Sequence, residues 1–159
     1  GGIASRPRRG CRRSPWRTRP AHRTLLSIAS TMSKILLVDD DALLRDTMRQ
    51  MLELDGHHVT EAPDGRVGLS LCRQARSFDL VITDMLMPEL DGAQFIVELR
   101  RLHPTMPVLA ISGGRRALSP QFNLETAGLL GATRQLSKPF DRAALRASVT
   151  ESIAAEGIR

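Results

Sequence analysis

The sequence predicts an α/β fold, in which a five-stranded parallel sheet is doubly wound into a three-layer sandwich with helices on both faces. Three observations carry this expectation. Short, nearly continuous apolar runs alternate with longer amphipathic runs from residue 34 to residue 154. Gly, Pro and Asp fall between those runs, where turns and helix starts need them. With 159 residues and 42% apolar content the chain is the size of one domain, and only 3% aromatics makes its core aliphatic.

Each element follows from its own pattern. K-I-L-L-V (34–38) reads as a buried strand. Residues 42–54 carry Leu44, Met48, Met51 and Leu52 at helical spacing, with Asp41 at the N-cap and Gly56 as the stop. H-H-V-T-E-A (57–62) is a weaker strand, P-D-G (63–65) a turn, and 66–76 a helix with Val67, Leu71 and Cys72 inward. F-D-L-V-I-T-D (78–84) is the third strand, 85–92 a loop set by Pro88 and Gly92, and 93–102 the third helix. M-P-V-L-A-I-S (106–112) is the fourth strand, followed by the loop 113–120 and a helix near 121–130. T-R-Q-L-S-K-P (133–139) is a short fifth strand with its loop, and 141–154 is the last helix. These are five βα units, and right-handed crossovers wind them on both sides of one sheet.

Charge divides the chain. Residues 1–31 hold eight arginines and no acid, while the remaining 15 basic residues face all 17 acids and leave a net charge of −2. Residues 32–156 therefore read as a mildly acidic domain, 157–159 as a tail, and 1–31 as a basic disordered arm. Several readings of the arm stay open: a transit-type leader, a grip on nucleic acid or an anionic membrane, or an upstream extension before a true start at Met32. For the domain itself no nucleic-acid partner is expected. No apolar run approaches 18 residues, so no membrane span is expected. Cys11 and Cys72 form no disulfide or metal spacing, and a cytoplasmic location is the expectation.

Ligands in such sheets bind beyond the carboxyl ends of the strands. There the first strand carries Asp39 and Asp40, the third Asp84, the fourth Ser112, and the fifth runs into Lys138. Clustered carboxylates suit a hard divalent cation, Mg²⁺ above all. Lys138 supplies a compact positive charge for a phosphate, and Ser112 a hydroxyl donor. Together these are the parts of a phosphoryl-transfer site with a carboxylate nucleophile. The sequence has no Gly-rich phosphate loop to bind a nucleotide, and no His placed to act as a base.

The set V-D-D (38–40), D-M-L-M-P-E-L-D-G (84–92), I-S-G (111–113) and K-P-F (138–140) resembles the receiver domain of bacterial two-component response regulators, over residues 33–156. The resemblance implies a flavodoxin-like strand order 2-1-3-4-5. It implies that Asp84 accepts a phosphoryl group from a histidine kinase or histidine phosphotransfer protein. Asp39, Asp40 and Asp84 would hold Mg²⁺ with the backbone carbonyl of Leu86. Ser112 and Lys138 would bind the phosphoryl group, Gly113 would leave access to it, and Pro139 would follow a cis peptide bond.

Departures from the family pattern are equally specific. Gln135 stands where the family usually has Tyr or Phe, which puts the aromatic half of its switch in doubt. Leu86 is apolar where many relatives are polar, and is expected to alter the lifetime of the acyl phosphate. The paired glycines in G-G-R-R-A-L-S-P (113–120) permit large backbone changes. No output module follows the domain in this sequence, so the expectation is a single-domain regulator of the chemotaxis or phosphorelay type. Its output would be altered affinity for a downstream protein target, read on the fourth helix, fifth strand and fifth helix. It would catalyse its own phosphorylation and dephosphorylation without being a metabolic enzyme. Two rivals stand beside it. A haloacid dehalogenase-type phosphatase would make Asp39 the nucleophile, but its D-x-D-x-T/V signature fails at Leu43 and leaves Asp84 unexplained. The other rival gates a nucleic-acid or membrane contact through the basic arm.

Overall fold

In the computed structural model, residues 32–74, 77–113 and 127–156 are described. The arm (1–31), most of the 113–120 loop, most of the helix expected near 121–130 and the tail (157–159) lie outside the described residues.

The elements run β1 (Lys34–Val38), α1 (Ala42–Leu54), β2 (His58–Ala62), α2 (Gly65–Arg73), β3 (Leu80–Asp84), α3 (Gly92–Leu102), β4 (Val108–Ser112), β5 (Arg134–Ser137) and a C-terminal helix α4 (Arg142–Glu156). Residues 127–129, within the helix expected near 121–130, are helical. The five strands form one sheet in the order β2-β1-β3-β4-β5. Every neighbouring pair is parallel, with Val38 opposite Ala62 and Thr83, and Asp84 opposite Ile111. The predicted sheet, its winding and its strand order are all present.

Side-chain alternation along the strands splits the core in two. Leu36, Val38, Val81, Val108 and Ala110 face α2 and α3, packing with Leu69, Cys72, Phe95, Ile96 and Leu99. Ile35, Leu37, Leu80, Ile82, Leu109 and Ile111 face the opposite way, against Met48 and Leu52 of α1 and Leu145 and Val149 of α4. Central strands covered on both faces must be apolar at every position, which is why β1, β3 and β4 were plain in the sequence. The edge strands β2 and β5 have one side open, and they are the more polar and weaker patterns. Burial also pushes the Cys72 thiol up to about 11, so it packs as a small apolar group.

Helix ends follow their local chemistry. The Asp41 carboxylate accepts from the Leu43 and Leu44 amides, and Asp64 and Asp91 cap α2 and α3 in the same manner. Gly56, at φ 90°, turns the chain out of α1. The neighbouring Asp55 carboxylate accepts from Arg142 Nη2 at 2.6 Å and so ties the end of α1 to the start of α4.

One inward assignment needs correction. Val67 is 38% exposed, and α2 instead buries Gly65, Gly68, Leu69 and Cys72. The reason is steric. Gly68 lets the helix backbone approach the core so closely that an added Cβ would lie 3.0 Å from the Phe95 ring and 3.1 Å from Val38 Cγ2. Counting apolar side chains misses a helix face that is set by its glycines.

Gly92 is tighter still. Its amide donates to the Met85 carbonyl at 3.1 Å, and an added Cβ would strike the Asp84 carbonyl oxygen and sit 2.6 Å from Met85 Cα. Both obstacles are backbone and cannot swing aside. Gly92→Ala is expected to destabilise the domain by about 2–3 kcal/mol. Gly68→Ala meets side chains that can shift, and regains up to ~1 kcal/mol of helix propensity. Urea denaturation should therefore place the Gly92→Ala midpoint clearly below that of Gly68→Ala.

Candidate functional site

The site lies at the carboxyl edge of β1, β3, β4 and β5. Parallel strands bring their last residues to one rim, so Asp39, Asp84, Ser112 and Lys138 meet although they span a hundred positions of sequence. Asp39 prolongs β1 by one rung, its amide donating to the Ala62 carbonyl at 3.2 Å. Its carboxylate is 1% exposed. Oδ1 accepts from the Asp41 amide at 2.9 Å. Oδ2 lies 3.6 Å from Lys138 Nζ and has no hydrogen bond. Asp40 is exposed beside it.

Asp84 closes β3 and is 6% exposed. Lys138 Nζ donates to its Oδ1 at 3.1 Å. On the backbone side, Thr83 Oγ1 donates to the Asp84 carbonyl at 3.0 Å, and the Met85 amide donates to the Ile111 carbonyl at 2.9 Å. These bonds carry the β3–β4 ladder one step beyond the strand and fix the base of the aspartate. Ser112 closes β4, 1% exposed, with its Oγ buried and unpartnered. Its carbonyl accepts from the Lys138 amide at 2.7 Å, so Lys138 is held by its backbone as well as by its ammonium. The Lys138–Pro139 peptide is cis. Gly113, at φ 126°, packs on that peptide, and a Cβ there would lie 2.9 Å from the Lys138 carbonyl oxygen.

Electrostatics explain what the site lacks. One oxygen each from Asp39, Asp40 and Asp84 lie within 4.8 Å of one another. Among the described residues a single ammonium, Lys138, faces these carboxylates. Burial pushes Asp84 up to about 6, partly opposed by Lys138 and reinforced by the negative charge of Asp39 and Asp40. Burial also raises Asp39, again against the pull of Lys138. Among the described residues, the carboxylates thus carry more negative charge than is neutralised. An all-oxygen, multiply charged and partly orphaned donor set fits a hard divalent cation of the Mg²⁺ kind. Asp39, Asp40 and Asp84 are the side chains that would hold it. Leu86, partly buried, lies two residues past Asp84 in the connection to α3.

The remaining predicted positions divide. Gln135 lies on β5 opposite Ala110 and is exposed. Its amide reaches outward over Gly128, where an added Cβ would come within 2.5 Å of Nε2. Asp41, the second acid of the D-x-D rival, is occupied as an N-cap. One residue escaped the sequence reading. Arg45 Nη1 donates to the Asp39 carbonyl at 2.7 Å while its Nε donates to Glu61 at 3.0 Å. The available signal was an arginine one turn past the Asp41 cap, facing an acid on the adjacent edge strand.

A family model described as the response regulator receiver domain matches residues 35–150. The transcriptional regulatory protein CpxR of Klebsiella pneumoniae is 38% identical over 110 residues, covering 69% of this chain and 44% of that protein. The chain thus spans about half the length of the curated relatives it matches. Among solved structures, a response regulator receiver domain protein from Clostridium thermocellum gives a TM-score of 0.73 at 30% identity, over 79% of this chain and 98% of that one. Chemotaxis protein CheY4 of Vibrio cholerae gives 0.67 at 31% identity, over 76% and 98% respectively. No helix among the described residues is long and apolar enough to cross a membrane.

The raised Asp84 has a sign that can be tested. A carboxyl held at about 6 in the fold and near 3.8 when unfolded favours the fold only while protonated. Its contribution is complete below pH about 4 and lost as pH rises through about 6. In Mg²⁺-free buffer, Asp84→Asn should match wild type near pH 4 and exceed it by roughly 3 kcal/mol at pH 7. Added Mg²⁺ should narrow that gap at pH 7. Thermal melts across pH, with and without Mg²⁺, read both effects.

Proposed function

The chain belongs to the response regulator receiver domain family, and from that membership we propose that it is the phosphoacceptor of a two-component relay, modified on Asp84 by a phosphohistidine donor. The observation that carries this reading is the buried Asp84 carboxylate, 3.1 Å from Lys138 Nζ and grouped with the Asp39 and Asp40 acids at the open edge of the sheet. In the transfer, an Asp84 carboxylate oxygen forms a bond to phosphorus as the bond from phosphorus to the donor imidazole nitrogen breaks. The electron pair leaves with the imidazole. Mg²⁺, held by Asp39, Asp40, Asp84 and the Leu86 carbonyl, would neutralise charge on the acids and on the incoming phosphoryl oxygens.

The chain's own groups do the rest. Lys138 is anchored by its backbone to Ser112 and keeps its ammonium beside the Asp84 oxygen, where it takes up the charge that arrives. Ser112 Oγ has no competing partner and is available to donate to a phosphoryl oxygen. Gly113 leaves room beside it, since any side chain there would meet Lys138. Once Ser112 turns toward the phosphoryl group, the end of β4 follows. The modified domain then favours one of two shapes already in equilibrium, and a protein partner reads the difference. The partner upstream is a histidine kinase or histidine phosphotransfer protein. The domain promotes its own phosphorylation on Asp84 and the hydrolysis of that acyl phosphate rather than turning over a metabolite.

With Gln135 turned outward over Gly128, the aromatic swing usual at this position has no counterpart here. Ser112 and the residues that follow it would carry the change.

The test is direct. Incubation with acetyl phosphate and Mg²⁺ should add one phosphoryl group, and borohydride reduction should place it on Asp84. Label on Asp39 would instead favour the phosphatase-type alternative. Asp84→Asn should abolish modification, and Lys138→Ala should slow it by about a hundredfold. Ser112→Ala should slow it less, because it removes a donor and no charge.

A further inference from the structure

Arg45 occupies an unusual place. Its guanidinium is partly buried between the end of β1 and the edge strand β2, with only 16% of the side chain exposed. Nη1 donates to the Asp39 carbonyl at 2.7 Å. Nε donates to Glu61 Oε1 at 3.0 Å, and Arg49 Nε closes on the other oxygen of Glu61 at 3.3 Å. The Asp39 carbonyl is past the last rung of the β1–β2 ladder, whose final bond is made by the Asp39 amide to Ala62. Without Arg45 that carbonyl would lose its partner, and the peptide joining Asp39 to Asp40 could rotate. The orientation of that peptide sets where the exposed Asp40 carboxylate points relative to the buried Asp39 carboxylate.

Glu61 has a second effect. A guanidinium this close to an acid cluster would ordinarily pair with a carboxylate and compete with any cation there. Glu61 engages Nε, so Arg45 can give a hydrogen bond to the Asp39 backbone while its charge is balanced on β2. Glu61 lies opposite Leu37 in the parallel register, one residue before Ala62, which accepts the Asp39 amide. The same edge strand thereby fixes the Asp39 amide and the arginine that fixes its carbonyl.

We propose that Arg45, held by Glu61, is a positioning residue that orients the Asp39–Asp40 peptide and so sets the affinity of the acidic cluster for Mg²⁺; this rests on the reading of the cluster as the cation site of a phosphoacceptor. Removing either member weakens Mg²⁺ binding through different causes. Arg45→Ala frees the peptide. Glu61→Gln releases the guanidinium toward the carboxylates. Lysine at 45 keeps the charge and one donor but lacks the fork that spans both partners.

The experiment is calorimetric titration of Mg²⁺ into the unphosphorylated full chain, for wild type, Arg45→Ala, Arg45→Lys, Glu61→Gln and Val149→Ala. Val149 is a core residue on the face away from α2 and α3 and serves as a control for lost stability alone. Arg45→Ala should raise the dissociation constant by about tenfold, the usual cost of losing a group that orients metal ligands. Glu61→Gln should raise it less, Arg45→Lys should recover part of the loss, and Val149→Ala should leave it unchanged. Acetyl phosphate modification of Arg45→Ala should return toward the wild-type rate as Mg²⁺ is raised to saturation. Should Arg45→Ala fail to fold, the other two variants carry the comparison. Constants within twofold of wild type for Arg45→Ala and Glu61→Gln overturn the proposal, as does an equal loss in Val149→Ala. Wild type that takes up no Mg²⁺ overturns the phosphoacceptor reading itself, and this inference with it.

Discussion

Lys138 stands 3.1 Å from Asp84 and 3.6 Å from Asp39, with Asp40 completing an acidic group that this one ammonium does not balance among the described residues. Most of the molecule is arranged around that imbalance. The acids are placed on backbone that cannot relax: Asp39 is bonded at its amide to β2, and Asp84 lies at the end of the fully buried β3. Lys138 is fastened at its amide to Ser112 and turned by a cis peptide. A looser scaffold would let the carboxylates separate into water and relieve their repulsion. Here they are held together, with the pKa values of Asp39 and Asp84 both raised by burial. A site in this condition favours the arrival of positive charge and gains little from more negative charge unless a cation accompanies it.

The sheet supplies the rigidity for this. Its three inner strands are sealed on both faces by separate aliphatic layers, so the rim residues extend from the stiffest part of the domain. The margin of the rim is less enclosed. Ser112 is the last residue of β4, Gly113 takes a backbone conformation that few other residues adopt, and β5 is an exposed edge.

Sequence pattern conveyed the sheet and the rim residues, because central strands must be apolar throughout and their last residues must face the same edge, while the strand order came with the family resemblance. What it missed were features made by small groups or by distance. The inward face of α2 follows Gly65 and Gly68, which carry no apolar side chain to count, so Val67 was placed inward wrongly. The Arg45–Glu61 pair joins a helix to an edge strand across 16 positions, and no periodicity announces it. Gln135 was legible as a departure, but its resting place over Gly128 depends on a neighbour in space that its own strand does not reveal.

The tie between Asp55 and Arg142 spans 87 positions, and the same helix α4 brings Leu145 and Val149 onto the face formed by Ile35, Leu37, Ile82 and Ile111. Until α4 has emerged from the ribosome, one side of the nascent sheet is bare oil and the Asp55 carboxylate lacks its cation. Closure of such distant contacts makes assembly late and nearly all-or-none. The segment that finishes the domain is its most C-terminal helix, so a chain stalled before α4 would offer chaperones and proteases an open apolar surface.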